Sequence, residues 1–206
     1  YLGPKSVSQA VVQNRAEVVL ARGAVDAYLL GSGVSNEGMT LQRLRISRAK
    51  KRGKPVVLDA GALHLAGKIG SPTIITPHSG ELGRLLDRSA SEIDKDRIKY
   101  AVEAANKYHV TVLLKGSETI ITNGNKIIKL PIATSWLATA GTGDVLAGVL
   151  GALMAINKSN LTHNNLIEIG ATAALIHAIA ARLSDGPISP TKLIDSIPKV
   201  IKDLSK

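Results

Sequence analysis

The stretch of sequence that decides the fold is Trp136-Leu-Ala-Thr-Ala-Gly-Thr-Gly-Asp-Val-Leu-Ala-Gly148. Gly141 and Gly143 bracket a threonine in it, and an unbroken apolar run over residues 145–156 follows Asp144. This pattern predicts a tight glycine turn that leads into a buried helix. The first amides of a helix have no intrahelical partner and carry the positive end of its dipole. We therefore expect the turn to favour an anion, typically a phosphate.

The carboxylate of Asp144 is unexpected beside a phosphate site, because it would repel the ligand. One explanation is catalytic: a base at this position could take the proton from a substrate hydroxyl that attacks the phosphate. The other is structural, since aspartate often caps a helix or complements the positive end of its dipole. The spacing of the residues does not separate these two explanations.

The size and composition of the chain favour one domain with an aliphatic core. At 206 residues the length is typical of a single domain spanning residues 1–206. Phenylalanine is absent and Trp136 is the only tryptophan, so aromatic side chains contribute little to the core. The absence of cysteine excludes disulfides and thiolate metal sites, and it fits a reducing cytoplasmic location.

The charge and the longest apolar run bear on the partners of the chain. The formal net charge of +10 favours polyanions, but the basic residues are dispersed and lack interleaved aromatic residues. A solvated surface that attracts phosphorylated small molecules is the better interpretation, and a nucleic-acid partner is not expected. No apolar run reaches the roughly 20 residues of a membrane span, and the longest candidate, 166–183, carries charged residues. We therefore expect no membrane association.

The order of apolar runs and helical patterns predicts the fold class. Short apolar strands alternate with helices, which favours an α/β fold with a mostly parallel sheet covered on both faces. The predicted strands are 27–31, 55–59, 71–76, 111–115, 119–122 and 126–130, the last two joined by a hairpin turn at Asn123-Gly124-Asn125. The predicted helices are 9–22, 40–51, 80–86, 92–108, the one after the central turn, 164–183, and a final amphipathic one from Thr191.

Polar residues follow several of these strands at the point where each strand ends. Ligands of parallel sheets lie beyond the carboxyl ends of the strands. The segments found there are Gly31-Ser-Gly33, Asp59, Thr76-Pro-His78, Lys115-Gly116 and the central turn. Neither a dinucleotide fingerprint nor a P-loop is present, since Asn36 stands where a third glycine would be needed and no Gly-Lys-Ser/Thr follows a spaced glycine.

Two histidines have different expected roles. His78 lies at a strand end before Gly80 and Glu81, where a rigid turn could direct its imidazole toward a ligand; it could equally be an ordinary turn residue. His177 lies among alanines in a predicted helix, which is typical of a packed or hydrogen-bonded histidine.

Three segments together resemble a known family, the ADP-dependent NAD(P)H-hydrate dehydratases of the ribokinase-like superfamily. They are Thr76-Pro-His-Ser-Gly-Glu-Leu-Gly-Arg-Leu85, Lys115-Gly-Ser-Glu-Thr119 and Leu137-Ala-Thr-Ala-Gly-Thr-Gly-Asp-Val-Leu-Ala-Gly148, and they occur in the order and spacing of that family. The histidine of Thr-Pro-His-x-Gly-Glu is the most specific part, because related sugar and vitamin kinases typically carry asparagine there. The Gly-Thr-Gly-Asp turn alone indicates only the superfamily.

The resemblance implies a three-layer α/β/α fold and a hydro-lyase activity. The implied reaction removes water from (6S)-NADHX or NADPHX at the expense of ADP, giving NADH or NADPH, AMP and phosphate. Carried over residue by residue, the implied substrate contacts are Gly33, His78 and Asp144, with Asp144 as the catalytic base. The implied nucleotide contacts are Lys115, Gly116, Ser117, Glu118, Thr119 and Gly143, and the implied anion hole is formed by the amides of Ala140, Gly141, Thr142 and Gly143.

The resemblance also implies cofactors and an assembly. Mg²⁺ is expected to neutralise the phosphates of the co-substrate ADP, and Glu81 is a candidate ligand of that ion through a water molecule. A homo-oligomer, a tetramer in related enzymes, is expected.

The chain departs from the family pattern in three places. The strand, glycine-rich loop and helix with which the family usually begins do not precede Tyr1, so we expect an N-terminally incomplete domain. The usual Asp-Ala-Asp-Ala-Leu is Asp59-Ala-Gly-Ala-Leu63, and the usual Gly-Asn-Pro before the central motif is replaced by Thr134-Ser-Trp136. Trp136 could stack on a ligand ring or be a packed aromatic residue.

Two other functions remain open on the sequence. The first is a ribokinase-like kinase that phosphorylates a small alcohol such as hydroxymethylpyrimidine or hydroxyethylthiazole from ATP, against which His78 in place of asparagine argues. The second is a non-catalytic protein that binds nucleotides or polyanions, which the net charge of +10 favours.

Overall fold

The protein is an α/β fold built around a mixed sheet. The computed structural model describes residues 5–20, 23–32, 49, 52–184 and 186–205. Within them, the sheet has six strands in the order of the chain: β1 (Tyr28–Leu30), β2 (Val56–Leu58), β3 (Thr73–Ile75), β4 (Thr111–Leu114), β5 (Ile120–Thr122) and β6 (Ile127–Lys129). The first four strands are parallel, and β5 and β6 are antiparallel to their neighbours. The predicted fold class and the hairpin at residues 123–125 are therefore confirmed.

Helices connect the strands and follow them. In chain order they are α1 (Lys5–Asn14), α2 (Ser79–Leu86), α3 (Ala90–Lys95), α4 (Arg97–Tyr108), α5 (Thr142–Ile156), α6 (Leu166–Leu183) and α7 (Pro190–Leu204). Two short 3₁₀ helices, Ala60–Leu65 and Ser135–Ala138, follow β2 and precede α5. The helix predicted over residues 40–51 lies almost entirely outside the described residues.

The two faces of the sheet are covered by different helices, because successive side chains of a strand point to opposite faces. Leu58, Ile75 and Leu114 lie in one buried cluster with side chains of α2, α3 and α4. Their neighbours in sequence, Val57, Ile74 and Leu113, lie in a second cluster with side chains of α5 and α6. This alternation explains why the central strands are apolar throughout, as the sequence indicated.

Three element predictions are wrong in detail. The helix predicted over residues 92–108 is two helices, because Asp96 has an extended φ of −149° and its side chain accepts a hydrogen bond from the amide of Lys99, which starts α4. Ile98, which has helical spacing to the buried Ala101 and Ala105 and was predicted to face the core, is 38% exposed in the first turn of α4. The helix predicted over residues 9–22 begins earlier and ends at Asn14, and β1 is buried only at Leu30.

Helix α6 is the one described helix that is long and apolar enough to cross a membrane by length and composition. Half of it is buried inside the protein, where it packs against the sheet and against α5 and α7. A core helix passes the same test of length and hydropathy.

Candidate functional site

The central turn opens helix α5 as the sequence predicted. Gly141 precedes the helix with φ +89°, a conformation that favours glycine, and a Cβ atom there would lie 2.8 Å from Cγ of Pro190. The hydroxyl of Thr142 donates to the carbonyls of Leu137 and Thr139 at 2.7 and 2.8 Å, which holds the turn together. No side chain caps the helix, and the amide of Thr142 donates to the carbonyl of Thr139 at 3.2 Å, so the amides of Gly143 and Asp144 are the ones left for another acceptor.

A cavity of about 740 Å³ lies against this helix opening. It brings together His78, the 115–119 loop and Gly143, although these residues are far apart in the chain. Segment 130–138 and helix α6 complete its wall. Among the residues predicted to contact the nucleotide, those that line the cavity are Lys115, Gly116, Ser117, Thr119 and Gly143.

Glu118 is the predicted nucleotide contact that does not line this cavity. Its carboxylate pairs with the ammonium of Lys129 at 2.9 Å, and its backbone carbonyl accepts a hydrogen bond from Arg97. Of the four residues predicted to form the anion hole, Thr142 and Gly143 line the cavity, Gly141 lines a neighbouring groove, and Ala140 is exposed.

Asp144 lines that neighbouring groove. The groove is shallow and apolar, has a volume of about 550 Å³, and lies between α5 and α7. Pro190, Ile194 and Ile197 form its opposite side. The side chain of Asp144 is exposed and forms no hydrogen bond or ion pair with the described residues, so it does not act as a helix cap. Gly143 and Asp144, which are adjacent in the chain, thus face two different voids.

Lys115 places a positive charge at the helix opening. Its Nζ lies 3.0 Å from Oδ1 of Asp59 and 3.7 Å from Oε2 of Glu81, and a Cβ atom built on Gly143 would lie 3.5 Å from it. Asp59 is 2% exposed and also accepts hydrogen bonds from the hydroxyls of Thr76 and Ser32. The buried carboxylate of Asp59 thus holds the ammonium of Lys115 beside the amides at the start of α5. The ammonium and these amides both favour an anion.

Asp59 is the residue that sequence reasoning left without a role. The available signal was its position, a carboxylate at the carboxyl end of a buried strand. That signal does not identify Lys115 as the partner, because the two residues are 56 positions apart and meet only across the sheet.

His78 is fixed by the first turn of α2. Its Nδ1 accepts hydrogen bonds from the amides of Gly80 and Glu81 at 3.1 and 3.4 Å, and its own amide donates to the carboxylate of Glu81 at 2.9 Å. This reciprocal arrangement is a capping box with histidine as the cap. Because Nδ1 accepts, a neutral His78 carries its proton on Nε2. The side chain is 55% exposed, so this N–H is accessible to a ligand.

Glu81 is more constrained than the sequence suggested. It is 8% exposed, and its carboxylate already accepts the amide of His78 and lies near the ammonium of Lys115. Among the described residues, no group of three or more His, Cys, Asp or Glu side chains is arranged to hold a metal ion.

His177 is buried and hydrogen-bonded, as predicted, but it also lines the cavity. Its Nε2 lies 2.9 Å from the carbonyl oxygen of Thr142, in the first turn of α5. Burial lowers the pKa of His177, the hydrogen bond to Thr142 opposes this, and the positive charge of Lys115 lowers the pKa further. The wall of the cavity beside the helix opening is therefore neutral at this residue near neutral pH.

The lowered pKa of His177 predicts a dependence of stability on pH. The unfolded chain binds a proton on this residue below the ordinary pKa of 6.5, whereas the folded chain resists it. The free energy of unfolding is expected to fall as the pH drops below 6.5, and to be independent of this residue above it. Urea unfolding at several pH values measures this effect.

The matched control for this prediction replaces an exposed histidine. His177→Gln should reduce the slope of stability against pH, while His163→Gln should leave it unchanged, since His163 is exposed. Equal slopes in the wild type and His177→Gln would contradict the prediction.

Two further predicted positions differ from the rest. Gly33, expected to contact the substrate, lies outside the described residues. Trp136 is 43% exposed in the 3₁₀ helix that leads to the central turn, and it does not line the cavity.

The chain is similar to proteins of one known family. A family model described as NAD(P)H-hydrate dehydratase matches residues 4–201. The bifunctional NAD(P)H-hydrate repair enzyme of Corynebacterium glutamicum is 32% identical, over 96% of this chain and 41% of that enzyme. The ADP-dependent (S)-NAD(P)H-hydrate dehydratase of Nitrosopumilus maritimus is 33% identical, over 80% of this chain and 60% of that enzyme. The chain thus spans less than two thirds of either curated relative.

Solved structures of related proteins share the fold of this chain. The ADP/ATP-dependent NAD(P)H-hydrate dehydratase of Bacillus subtilis, co-crystallised with ATP and Mg²⁺, superposes with a TM-score of 0.81 at 25% identity. The match covers 97% of this chain and 76% of that one. The expected ribokinase-like architecture is therefore confirmed.

Proposed function

The chain belongs to the NAD(P)H-hydrate dehydratase family, and on that premise we propose that its protein removes water from (6S)-NADHX or NADPHX with ADP as co-substrate, releasing AMP and phosphate. The observation that carries the proposal is the opening of α5. Uncapped amides, the ammonium of Lys115 and the free carboxylate of Asp144 meet there, between a cavity and a groove.

The cavity is proposed to hold ADP. The loop residues Gly116, Ser117 and Thr119 supply amides and hydroxyls along one wall, and segment 130–138 supplies an apolar wall suited to a base. The β-phosphate then lies at the amides of Ala140, Gly141 and Gly143, beside Lys115, since the amide of Thr142 is bonded to the carbonyl of Thr139. Amides and an ammonium in these positions stabilise the charge that develops on a transferred phosphoryl group.

Asp144, which lines the groove between α5 and α7, is proposed to be the catalytic base. It takes the proton of the hydroxyl on the hydrated nicotinamide ring, and the oxygen attacks the β-phosphorus of ADP while the bond to the α-phosphate breaks and AMP leaves. The carbon–oxygen bond of the ring phosphate then breaks, pushed by the lone pair of the ring nitrogen. Loss of a proton from the adjacent ring carbon completes the dihydronicotinamide and leaves free phosphate. His78 offers the N–H of Nε2 to the substrate.

Mg²⁺ is proposed to accompany the nucleotide. When bound, it neutralises charge on the phosphates, and Glu81 is the carboxylate that could reach it through water. A cytoplasmic location, a homo-oligomer, the absence of nucleic-acid and membrane partners, and a single domain over residues 1–206 remain predictions.

A direct assay tests the proposed function. NADHX is incubated with the full natural protein, ADP and Mg²⁺, and NADH is followed by its absorbance while AMP is measured as the second product. We expect recovery of NADH that requires ADP or ATP. If the full protein recovers no NADH, the proposal is wrong. Net phosphorylation of hydroxymethylpyrimidine or hydroxyethylthiazole from ATP would instead support the kinase alternative.

A further inference from the structure

Arg97 lies behind the loop that is proposed to bind the nucleotide, at the first residue of α4. Its Nη2 donates to the carbonyls of Lys115 and Glu118 at 3.1 and 3.2 Å, and lies 3.4 Å from the carbonyl of Leu114. The side chain is 22% exposed. The guanidinium of Arg97 therefore binds three carbonyl oxygens on the outer side of this loop, those of Leu114, Lys115 and Glu118.

The amides of the same loop are left available on the other side. Lys115 donates its amide to the carbonyl of Pro77, which ties the start of the loop to β3. The amides of Gly116, Ser117 and Glu118 donate to no described residue. Gly116 and Ser117 line the cavity, so their free amides suit an anionic or polar ligand there.

Gly116 is required by this arrangement. A Cβ atom at this position would lie 2.4 to 2.7 Å from Nη2, Nη1 and Cζ of Arg97. The loop backbone therefore lies against the terminal nitrogens of the guanidinium, and a larger residue would push the two apart.

Arg97 also connects the loop to the helix that carries His78. Its Nη1 donates to the hydroxyl of Ser79 at 3.3 Å and lies 3.6 Å from Asp94. Helix α2 is also held by other contacts, because Leu82 and Leu86 are buried in the cluster on one face of the sheet and the capping box of His78 and Glu81 orders its first turn. The loop has no regular structure of its own; besides Arg97 it is held by the amide of Ala133, which donates to the carbonyl of Ser117, and by the ion pair of Glu118 with Lys129.

We propose that Arg97 is a positioning residue for the nucleotide: it holds the carbonyls of Leu114, Lys115 and Glu118 outward so that the loop amides face the cavity. The proposal rests on the proposed function, because it assigns the occupant of the cavity as a nucleoside diphosphate. Arg97 itself touches neither the substrate nor the nucleotide.

The test separates nucleotide binding from catalysis. Arg97→Gln removes the charge and most of the donors, and we expect the KM and the Kd for ADP to rise about ten-fold or more, because hydrogen bonds to a charged group are among the stronger ones. The kcat at saturating ADP and the KM for NADHX should stay within about three-fold, since Asp144 and His78 are held by other elements. ADP binding is measured by calorimetric titration, and all measurements are made where each variant is folded.

Two further variants keep the proposal open to contradiction if Arg97→Gln folds poorly. Arg97→Lys should also weaken ADP binding, because an ammonium lacks the planar fork that reaches several carbonyls. Gly116→Ala should weaken ADP binding in the wild type but have a smaller effect in an Arg97→Ala background, where the guanidinium that it displaces is absent. Arg88→Gln is the control, since Arg88 is 44% exposed and pairs with Glu92 away from the loop.

The outcomes distinguish this proposal from the proposed function. If the wild-type protein binds no ADP, the proposed function fails. If the wild type binds ADP and Arg97→Gln or Arg97→Lys binds it equally well, or if the losses appear in kcat or in the KM for NADHX instead, the role of Arg97 is refuted.

Discussion

Asp144→Asn is expected to lower kcat by roughly 10²- to 10⁴-fold, the usual range for removal of a general base. The asparagine keeps the shape of the side chain and removes only its ability to take a proton. Because the carboxylate is exposed and forms no hydrogen bond or ion pair with the described residues, the fold should be affected little. The measurement is the steady-state rate of NADH formation from NADHX and ADP by the full protein.

The binding of ADP distinguishes this catalytic role from a structural one. Asp144→Asn should bind ADP as tightly as the wild type or slightly more tightly, since a negative charge near the phosphates is removed. Glu168→Gln is the control, because Glu168 is also an exposed helical carboxylate but lies on α6, away from the opening of α5. Turnover by Asp144→Asn within a few-fold of the wild type would show that Asp144 is not the base.

Lys115→Met is expected to have the second large effect, on both stability and nucleotide binding. It leaves Asp59 buried without its countercharge, and removing one partner of a buried ion pair typically costs about 3–5 kcal/mol. Lys115 is itself 21% exposed, so we expect the lower end of this range. Urea unfolding gives the change in the free energy of unfolding, and calorimetric titration gives the loss of ADP affinity.

A second substitution separates these two effects. Asp59→Asn combined with Lys115→Met removes both charges, so the double variant should recover most of the stability but none of the affinity for ADP. Lys126→Met is the control, because Lys126 is 71% exposed and its ion pair with Glu168 is long, at 4.0 Å. If Lys115→Met binds ADP like the wild type, Lys115 contributes only to the fold.

Much of the candidate site follows from local pattern. The glycine turn, the strand ends and His78 are local signals, because backbone conformations that need glycine and strand ends before polar residues are specified by a few neighbouring residues. These signals were sufficient for the α/β class, the hairpin and the start of α5, all of which are confirmed. The predicted site roles remain predictions, and Gly33 lies outside the described residues.

The helix prediction was wrong where a single residue interrupts a continuous periodic pattern. Asp96 splits a helix that the apolar spacing made continuous, because its side chain caps the next amides and its backbone is extended. A helical period does not reveal such a break, since the residues on both sides keep the spacing of a helix.

The sequence by itself determined that a glycine turn opens an apolar helix, that the central strands are buried on both faces, and that Asp144 stands in the first turn of that helix. Each of these depends on residues close together in the chain. Only the tertiary structure decided that Asp59 holds Lys115 beside Gly143, that Arg97 lies behind the 115–118 loop, and that Gly143 and Asp144 face different voids. Such contacts join residues on different strands and helices, and parallel strands bring them together at one edge of the sheet whatever their separation in sequence.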